Sequence, residues 1–197
     1  PLYLKNSNGT KDFTRDHLVV SGFLENEMIY MIVNHWPSRA GGQMKSEKKR
    51  ILAGILNRKI IDSILGKDPK AKIINMGDFN DNPSDRSIKP VLKTLSNKKK
   101  LLDYELFNPM EVLFKKGYGT YKYRDKWDML DQFMITKSLV SENKGHFFLK
   151  ASVYTKKYMI NPQGRYEGYP FKSFASGKFL GGFSDHFPIY LYLAKKA

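Results

Sequence analysis

The stretch Lys72-Ile73-Ile74-Asn75-Met76-Gly77-Asp78-Phe79-Asn80-Asp81-Asn82-Pro83 is a short apolar run that stops in a cluster of glycine, carboxylates, carboxamides and proline. Apolar runs bounded by turn residues are typical of buried strands, and loops at the carboxyl ends of strands often carry the chemistry of alternating strand-helix folds. Asp78 and Asn80 are therefore the first candidate site residues. Together they offer a carboxylate for acid-base or metal chemistry and an amide that holds a phosphate or a water. Taken alone, these four residues from Gly77 to Asn80 fit a purely structural Asx turn equally well.

A second strand-exit loop lies upstream. The apolar run from Met28 to Val33 is followed by Asn34-His35-Trp36-Pro37-Ser38-Arg39, which presents a histidine and an arginine. A lone histidine there is more often structural than catalytic. Between this loop and Asp78, Ser46 is suited to cap a helix that Gly66 and Pro69 would end. The order predicts a strand-helix-strand unit with parallel strands, whose helix would turn one apolar stripe to the core: Ile51, Leu52, Ile55, Leu56, Ile60, Ile61, Ile64 and Leu65.

The remaining elements are predicted from the same signals. Leu18 to Leu24 and Met28 to Val33 flank the turn at Glu25-Asn26-Glu27 and indicate a hairpin. Ser84 is expected to cap a second helix bearing Ile88, Val91, Leu92 and Leu95, and Asn108-Pro109 to open a short third one. From Tyr118 onward the pattern becomes aromatic and strand-like. Residues 155–182 form a long basic and aromatic loop, and loops of that length are usually functional or disordered.

Two carboxylates in the C-terminal half stand out. Asp131 interrupts an otherwise apolar strand, and a buried carboxylate needs a partner such as histidine or arginine unless it faces water at the strand edge. Ser184-Asp185-His186 stands at the entrance to the last apolar strand. These three neighbours do not suit a serine hydrolase triad, because consecutive side chains on a strand alternate faces and cannot converge.

The composition limits the class of protein. A chain of 197 residues with 41% hydrophobic residues and no cysteine is a single globular domain without disulfides or thiolate chemistry. No run approaches the length of a membrane helix; no signal peptide core is present, although a removed leader would leave the same sequence, so export stays open. The formal charge of +15 favours polyanionic partners such as DNA or RNA, with a merely lysine-rich surface as the alternative.

Taken together and in this order, four motifs resemble the endonuclease/exonuclease/phosphatase superfamily, and most closely its bacterial endonuclease-like branch. They are Asn34-His35-Trp36, Gly77-Asp78-Phe79-Asn80-Asp81, Trp127 with Leu130-Asp131-Gln132, and Ser184-Asp185-His186. The match spans nearly all of the chain. The resemblance implies an α/β fold, a two-sheet β-sandwich flanked by helices as in DNase I, with the active site at one end. It also implies hydrolysis of phosphate esters with Mg²⁺ or Mn²⁺.

The resemblance also implies residue roles. His35, with Asn34 and Arg39 beside it, would bind phosphate, and Asp78 with Asn80 would position and activate the attacking water. Asp131 would hold His186 as a catalytic dyad, and Asp185 would contribute to metal binding. These roles suit phosphodiester chemistry, which needs an in-line nucleophile, charge neutralisation and stabilisation of the leaving oxygen.

One departure concerns the start of the chain. The family supplies an Asn and a metal-binding Glu early in its fold, and nothing before Leu18 matches either, while Glu25 and Glu27 lie at a hairpin tip. We therefore expect residues 1–197 to form one such domain that is incomplete at its N-terminus, nearly inactive on its own and with a tendency to self-associate or to pair with the missing segment. The leading function is a metal-dependent nuclease. A phosphatase or lipid phosphodiesterase on the same scaffold, and a catalytically silent nucleic-acid-binding fragment, are the alternatives.

Overall fold

The computed structural model describes residues 4–5, 9–12, 14–141 and 145–195. Within these ranges, 3-10 turns lie at Lys98–Lys100, Lys157–Met159 and Gly164–Tyr166. The strands and helices in chain order are β1 (Leu4–Lys5), β2 (Lys11–Asp12), β3 (Leu18–Leu24), β4 (Glu27–His35), α1 (Gln43–Lys67), β5 (Lys72–Asp78), β6 (Thr94–Leu95), β7 (Leu106–Phe107), α2 (Pro109–Lys115), β8 (Tyr121–Tyr123), β9 (Lys126–Asp128), β10 (Asp131–Thr136), α3 (Lys137–Ser141), β11 (His146–Val153), β12 (Phe174–Ala175), β13 (Lys178–Phe179) and β14 (Ile189–Lys195).

A six-stranded sheet in the order β3-β4-β5-β10-β7-β6 forms the centre of the fold. The predicted hairpin is confirmed, since β3 and β4 pair antiparallel around the turn at Glu25 and Asn26. The predicted strand-helix-strand unit is also confirmed, because β4 and β5 are parallel and α1 connects them. β10 then pairs antiparallel with β5. This topology brings the C-terminal ends of β4 and β5 beside the N-terminal end of β10.

Side-chain alternation along the central strands builds a core on each face of this sheet. Ile73 and Met134 face α1, while their neighbours Ile74 and Phe133 face the other side. There the antiparallel pair β11–β14 covers the sheet, together with α2 and α3. The protein is thus the predicted α/β sandwich with helices, although the second sheet has two strands among the described residues.

Helix α1 corrects two predictions. It begins at Gln43 with Gly42 as its N-cap, so Ser46 does not cap it but lies in the first turn, where its hydroxyl donates to the Gly42 carbonyl at 2.9 Å. The predicted apolar stripe is only partly right. Ile61 is buried and Leu56, Ile60, Ile64 and Leu65 pack against the core, but Leu52 and Ile55 are exposed. The buried face instead includes four polar residues, Ser46, Arg50, Asn57 and Arg58.

Gly54 explains how closely α1 approaches the rest of the fold. A Cβ at this position would lie 2.8 Å from the Ser87 carbonyl oxygen and 3.2 Å from the Trp36 ring. Any larger residue would push the helix away from the loop that follows β5. The polar residues on the same face are tolerated because they find buried partners, as described below.

The predicted second helix from Ser84 is wrong. Successive turns occupy this segment and lead into the short strand β6 at Thr94–Leu95. Pro90 has no N–H and disfavours a continuous helix across this stretch. Lys93 adopts a left-handed φ of 56°, which ends the run of turns just before β6. The short helix at Asn108-Pro109 is confirmed as α2, with the Asn108 side chain accepting a hydrogen bond from the Met110 N–H.

The long segment 155–182 has an ordered backbone. Its backbone is tied together by hydrogen bonds such as Phe171 N–H to the Met159 carbonyl at 2.8 Å and Phe183 N–H to the Phe171 carbonyl at 2.7 Å. A small hairpin of β12 and β13 projects from it. Gly182 passes so close that a Cβ would lie 2.2 Å from the Phe171 carbonyl oxygen. The segment therefore presents a fixed surface beside β8.

Candidate active site

Three predicted site residues lie side by side on adjacent strands. His35 is the last residue of β4, Asp78 the last of β5, and Asp131 the first of β10. In the sheet register His35 is the partner of Asp78 on one side and Asp131 is its partner on the other. The His35 Nε2 atom lies 3.5 Å from an Asp78 carboxylate oxygen. The sheet itself therefore sets the spacing of these groups.

His186 joins this row from the segment before β14. Its Nδ1 atom lies 2.6 Å from Asp131 Oδ2. The backbone of His186 forms an isolated bridge with Tyr121, and the two rings lie 4.9 Å apart. Thr120 fixes the junction, since its hydroxyl accepts from the Asp131 N–H at 3.2 Å and its carbonyl from the Phe187 N–H at 2.8 Å. Two segments distant in sequence thus meet in one hydrogen-bonded pair.

The loop after β5 holds Asp78 in place. The Asn80 N–H donates to Asp78 Oδ1 at 2.8 Å, which is the geometry of an Asx turn, and the Asn80 amide donates to Asp78 Oδ2 at 3.2 Å and to the Trp36 carbonyl at 3.0 Å. Asn80 has a positive φ of 52°, a conformation that asparagine tolerates. Gly77 has a φ of 130°, and a Cβ there would lie 2.0 Å from the Asn34 carbonyl oxygen, so no other residue fits.

The burial and charges of the cluster shift two pKa values upward. Burial raises the pKa of Asp78, and the neighbouring negative charge of Asp131 raises it further. Burial alone would lower the pKa of His186, but the hydrogen bond and charge of Asp131, with Asp78 and Asp185 nearby, raise it above the ordinary value. The site therefore favours a protonated imidazolium beside a carboxylate that ionises with difficulty.

Arg39 lies on the same cavity but is held by carboxylates. Its Nε donates to the Asn80 carbonyl at 2.7 Å, and its guanidinium lies 3.4 Å from Asp85, 3.3 Å from Asp128 and 3.8 Å from Asp81. Most of its donors are engaged with protein groups, so the contacts favour a residue that braces the Asp78–Asn80 loop. Behind it, fully buried Arg50 of α1 lies 2.7 Å from Asp81.

One prediction about this region is wrong. The Asn34 side chain does not line the catalytic cavity, because it is 4% exposed and both ends of its amide are engaged in the core. Its Nδ2 donates to Asn75 Oδ1 at 2.7 Å, and its Oδ1 accepts from Asn57 at 2.6 Å and from the Trp36 indole at 3.1 Å. Asn34 is thus the centre of a buried polar network that joins α1 to β4 and β5.

A cavity of about 910 Å³ opens over His35, Asp78, Asp131 and His186. Four aspartates and one arginine line it, so the cavity is locally acidic in a chain whose formal charge is +15. Tyr121 and Tyr123 also line it, and sequence reasoning missed both. The sequence feature that could have predicted them is the alternation of side chains along β8, which places Tyr121 and Tyr123 on one face and Lys122 on the other.

The ligand atoms of Asp78, Asp131 and His186 all lie within 4.8 Å of one another. Asp185, the predicted metal ligand, lies outside this group at the cavity rim, where its side chain is 52% exposed and 3.8 Å from Lys172. Glu27 lies at the opposite end of β4 from His35, roughly 26 Å away for a strand of that length, and contacts Lys72 and His146 instead.

The protein-family comparison agrees with this geometry. The profile of the Endonuclease/Exonuclease/phosphatase family matches residues 2–195. The chain belongs to this family. Members of the Endonuclease/Exonuclease/phosphatase family are phosphoric ester hydrolases and commonly use divalent metals. No curated protein matches the chain.

Two solved structures of TDP2 support the fold of this family member. Humanized TDP2 from D. rerio superposes with a TM-score of 0.53 at 14% identity, covering 91% of this chain and 60% of that one. Truncated TDP2 from Caenorhabditis elegans gives 0.52 at 12% identity, covering 88% and 57%. A Staphylococcus aureus beta toxin variant with bound magnesium ions gives 0.48 at 17% identity, covering 90% and 57%. The chain thus spans less than two thirds of the length of these structures.

Proposed function

We propose that this chain carries the active site of a phosphodiesterase that hydrolyses nucleic acid with the help of Mg²⁺ or Mn²⁺. The observation that carries the proposal is the convergence of Asp78, Asp131 and His186 at one end of the sheet, on the floor of an open acidic cavity. A buried carboxylate next to a carboxylate-held imidazole is a perturbed acid-base pair of the kind that active sites use.

The residues suit distinct steps of the reaction. Asp78, oriented by Asn80, takes a proton from the attacking water while the water oxygen forms a bond to phosphorus. The bond from phosphorus to the leaving oxygen breaks, its electron pair goes to that oxygen, and the protonated imidazole of His186 donates a proton to it. Asp131 fixes the His186 ring and stabilises its positive charge. His35, which is half exposed beside Asp78, donates a hydrogen bond to a phosphate oxygen.

The cavity chemistry fits a divalent cation. An anionic phosphate would be repelled by the aspartates around Asp78 and Asp131 unless a cation stood between them, and hard cations prefer carboxylate oxygens. Asp131 would hold it, with Asp185 at the rim, while Asp78 stays available to accept the proton of the attacking water. When bound, the cation would neutralise the charge that develops on the phosphate oxygens.

Nucleic acid is the favoured substrate because the chain outside the cavity is strongly basic. The charge of +15 attracts extended polyanions, whereas the acidic cavity by itself does not select a small phosphate ester. Among the described residues no helix is both long and apolar enough to cross a membrane.

A substrate panel tests the proposal. The full-length protein would be assayed with Mg²⁺ or Mn²⁺ on plasmid DNA, single-stranded DNA, RNA, p-nitrophenyl phosphate and sphingomyelin vesicles. We expect cleavage of nucleic acid, no cleavage in EDTA, and a large loss in the Asp78→Asn variant. Faster hydrolysis of the monoester or the lipid would favour a phosphatase or lipid phosphodiesterase instead. Tight nucleic-acid binding without any hydrolysis would favour a catalytically silent binding fragment.

A further inference from the structure

A second cavity, of about 600 Å³, lies directly behind the wall of the catalytic cavity. Strand β8 forms this wall: Tyr121 and Tyr123 face the catalytic side, and Lys122 between them faces the second cavity. Lys172 marks the rim between the two, since it lines the second cavity while its Nζ lies 3.8 Å from Asp185 and 6.0 Å from the centre of the Tyr121 ring. A nucleic-acid strand that runs from the catalytic cavity toward the second cavity therefore passes Lys172 first.

The lining of the second cavity combines aromatic faces with unused amides. Tyr166 is 54% exposed and packs edge-on against buried Tyr169 at 5.5 Å, which fixes its ring. The side-chain amides of Asn161 and Gln163 also line the cavity and make no hydrogen bond within the described parts of the chain. Aromatic rings offer stacking surfaces, and amides without a protein partner have donors and acceptors available for a ligand.

The charge of this cavity is opposite to that of its neighbour. Lys122 and Lys172 are its charged residues among the described lining, and no carboxylate accompanies them there. Lys122 is held with its Nζ 4.5 Å from the centre of the Tyr169 ring. The catalytic cavity, in contrast, carries four aspartates. A ligand for the second cavity should thus join an aromatic, hydrogen-bonding part to a negative charge.

The geometry points to a subsite that binds an unpaired nucleobase of the strand being cut, stacked on Tyr166, with its phosphate near Lys172. This inference rests on the proposed function and adds a preference for single-stranded or unpaired substrate. In a duplex the base faces are stacked on one another and the Watson–Crick edges are paired, so Tyr166 would find no free base face to stack on. The adjoining hairpin exposes Phe174 and Phe179. Exposed aromatic side chains also suit a membrane surface, which is the alternative partner.

Charge and shape decide between these two partners. Without a carboxylate beside Lys122 and Lys172 in the part of its lining that the structure describes, the cavity disfavours the cationic choline of a lipid headgroup, whereas an unpaired nucleotide supplies both a ring to stack on Tyr166 and a phosphate for Lys172. The subsite also adjoins the catalytic cavity through Lys172 and Asp185, as a flanking nucleotide requires.

Binding measured in EDTA tests the subsite without any cleavage. The probes are a fluorescently labelled thymidine oligonucleotide, a sugar-phosphate strand of the same length without bases, and a duplex of that length. We expect wild type to bind the thymidine strand more tightly than the other two. Tyr166→Ala should weaken binding of the thymidine strand by about 5- to 100-fold, the usual effect of one lost base stack, and leave the base-free strand unchanged.

Two further variants control for folding. Tyr166→Trp keeps a stacking face and should bind like wild type. Tyr104→Ala removes a tyrosine of similar exposure, 51%, that lies outside both cavities, and should change nothing. Equal affinity for strands with and without bases would overturn the subsite, while the proposed function would stand as long as nucleic acid is hydrolysed.

A lipid arm completes the test. Cosedimentation with phosphatidylcholine and phosphatidylserine vesicles that Phe174→Ser abolishes, together with base-independent oligonucleotide binding, would assign this surface to membranes and overturn the inference. Failure of the proposed function has a different signature, namely no hydrolysis of any nucleic acid with Mg²⁺ or Mn²⁺ while a small phosphoester is cleaved.

Discussion

The imidazole of His186 lies 2.6 Å from the carboxylate of Asp131, although the two residues come from different segments and 55 residues separate them in sequence. Both side chains are mostly buried. The contact links the segment before β14, which carries His186, to β10 of the central sheet, which begins at Asp131. We infer that the pair functions as one unit.

A double-mutant cycle tests this unit. His186→Ala should lower turnover on nucleic acid by roughly 10²- to 10⁴-fold, the usual effect of losing a positioned acid-base group. Adding Asp131→Ala should cost little more, because groups that act together are not additive. The measurement is kcat for both single variants and the double variant. Independent, multiplying losses would show that the two residues do not form a dyad.

Binding to nucleic acid should depend steeply on salt and weakly on sequence. Each phosphate neutralised contributes a slope of about −0.9 in log affinity against log salt for duplex DNA, and the charge of +15 supplies many such contacts. Fluorescence anisotropy across a salt series on two unrelated duplexes of equal length gives both quantities. A flat salt response would favour a small phosphoester as substrate.

The ion pair between Arg50 and Asp81 should be important for stability. Both side chains are at most 1% exposed and lie 2.7 Å apart behind the catalytic loop. Arg50→Met leaves a buried carboxylate short of a partner and should lower the free energy of unfolding by about 3–5 kcal/mol. Asp62→Asn is the matched control on the same helix, since Asp62 is 53% exposed beside Arg58 and should matter by less than about 1 kcal/mol. Urea denaturation of both variants gives the comparison, and equal losses would contradict it.

Glu27 should make stability depend on acid pH. A hydrogen bond from the His146 N–H, outweighing the effect of burial and aided by Lys72 and the His146 ring, lowers the pKa of Glu27 from 4.5 to about 2. An acid whose pKa is lower in the folded protein stabilises it above the unfolded-state value and loses this contribution as pH falls toward 2. Glu27→Gln should therefore be less stable than wild type at neutral pH.

The difference between wild type and Glu27→Gln should shrink as pH falls from 4.5 toward 2. Denaturant midpoints at several pH values measure it. Glu25→Gln, which removes an exposed partner of Lys195 at the same end of the sheet, is the control and should show little change. A constant difference at all pH values would mean that the charge of Glu27 is not what stabilises the fold.

The strand-end residues of the site could be predicted from the sequence because polar side chains that directly follow apolar runs mark the edge of a sheet. The parallel strands on either side of α1 were enough to bring His35 and Asp78 together. Asp131 was expected inside a strand, whereas it is the first residue of β10, and the pairing of β10 with β5 is a tertiary contact that the sequence did not predict. The need of a buried carboxylate for a partner predicted only a histidine or arginine beside Asp131, and the family resemblance supplied His186.

The failures of sequence reasoning share a cause, which is that tertiary contacts override local patterns. Asn34 follows a strand just as His35 does, but its side chain points inward to Asn57 and Asn75. The apolar stripe of α1 is partly exposed because Arg50 and Asn57 take the core face, where each has a buried partner. No local rule predicts which polar residue will find such a partner.

The Asp78→Asn variant tests the central claim most directly, because function and stability should move in opposite directions. Burial and the neighbouring charge of Asp131 raise the pKa of Asp78, so its ionised form destabilises the metal-free fold. An asparagine of the same shape removes this charge, keeps an oxygen as acceptor for the Asn80 N–H and gives up only the longer contact of 3.2 Å with the Asn80 amide, so we expect a higher free energy of unfolding in EDTA. The same change should lower Mg²⁺- or Mn²⁺-dependent cleavage of a labelled oligonucleotide by roughly 10²- to 10⁴-fold. The measurement is this paired comparison of the full-length protein and its variant, unfolding in EDTA beside turnover with metal. A variant that is more stable and nearly inactive is the predicted result, and one that cleaves at the wild-type rate would contradict the account of this active site.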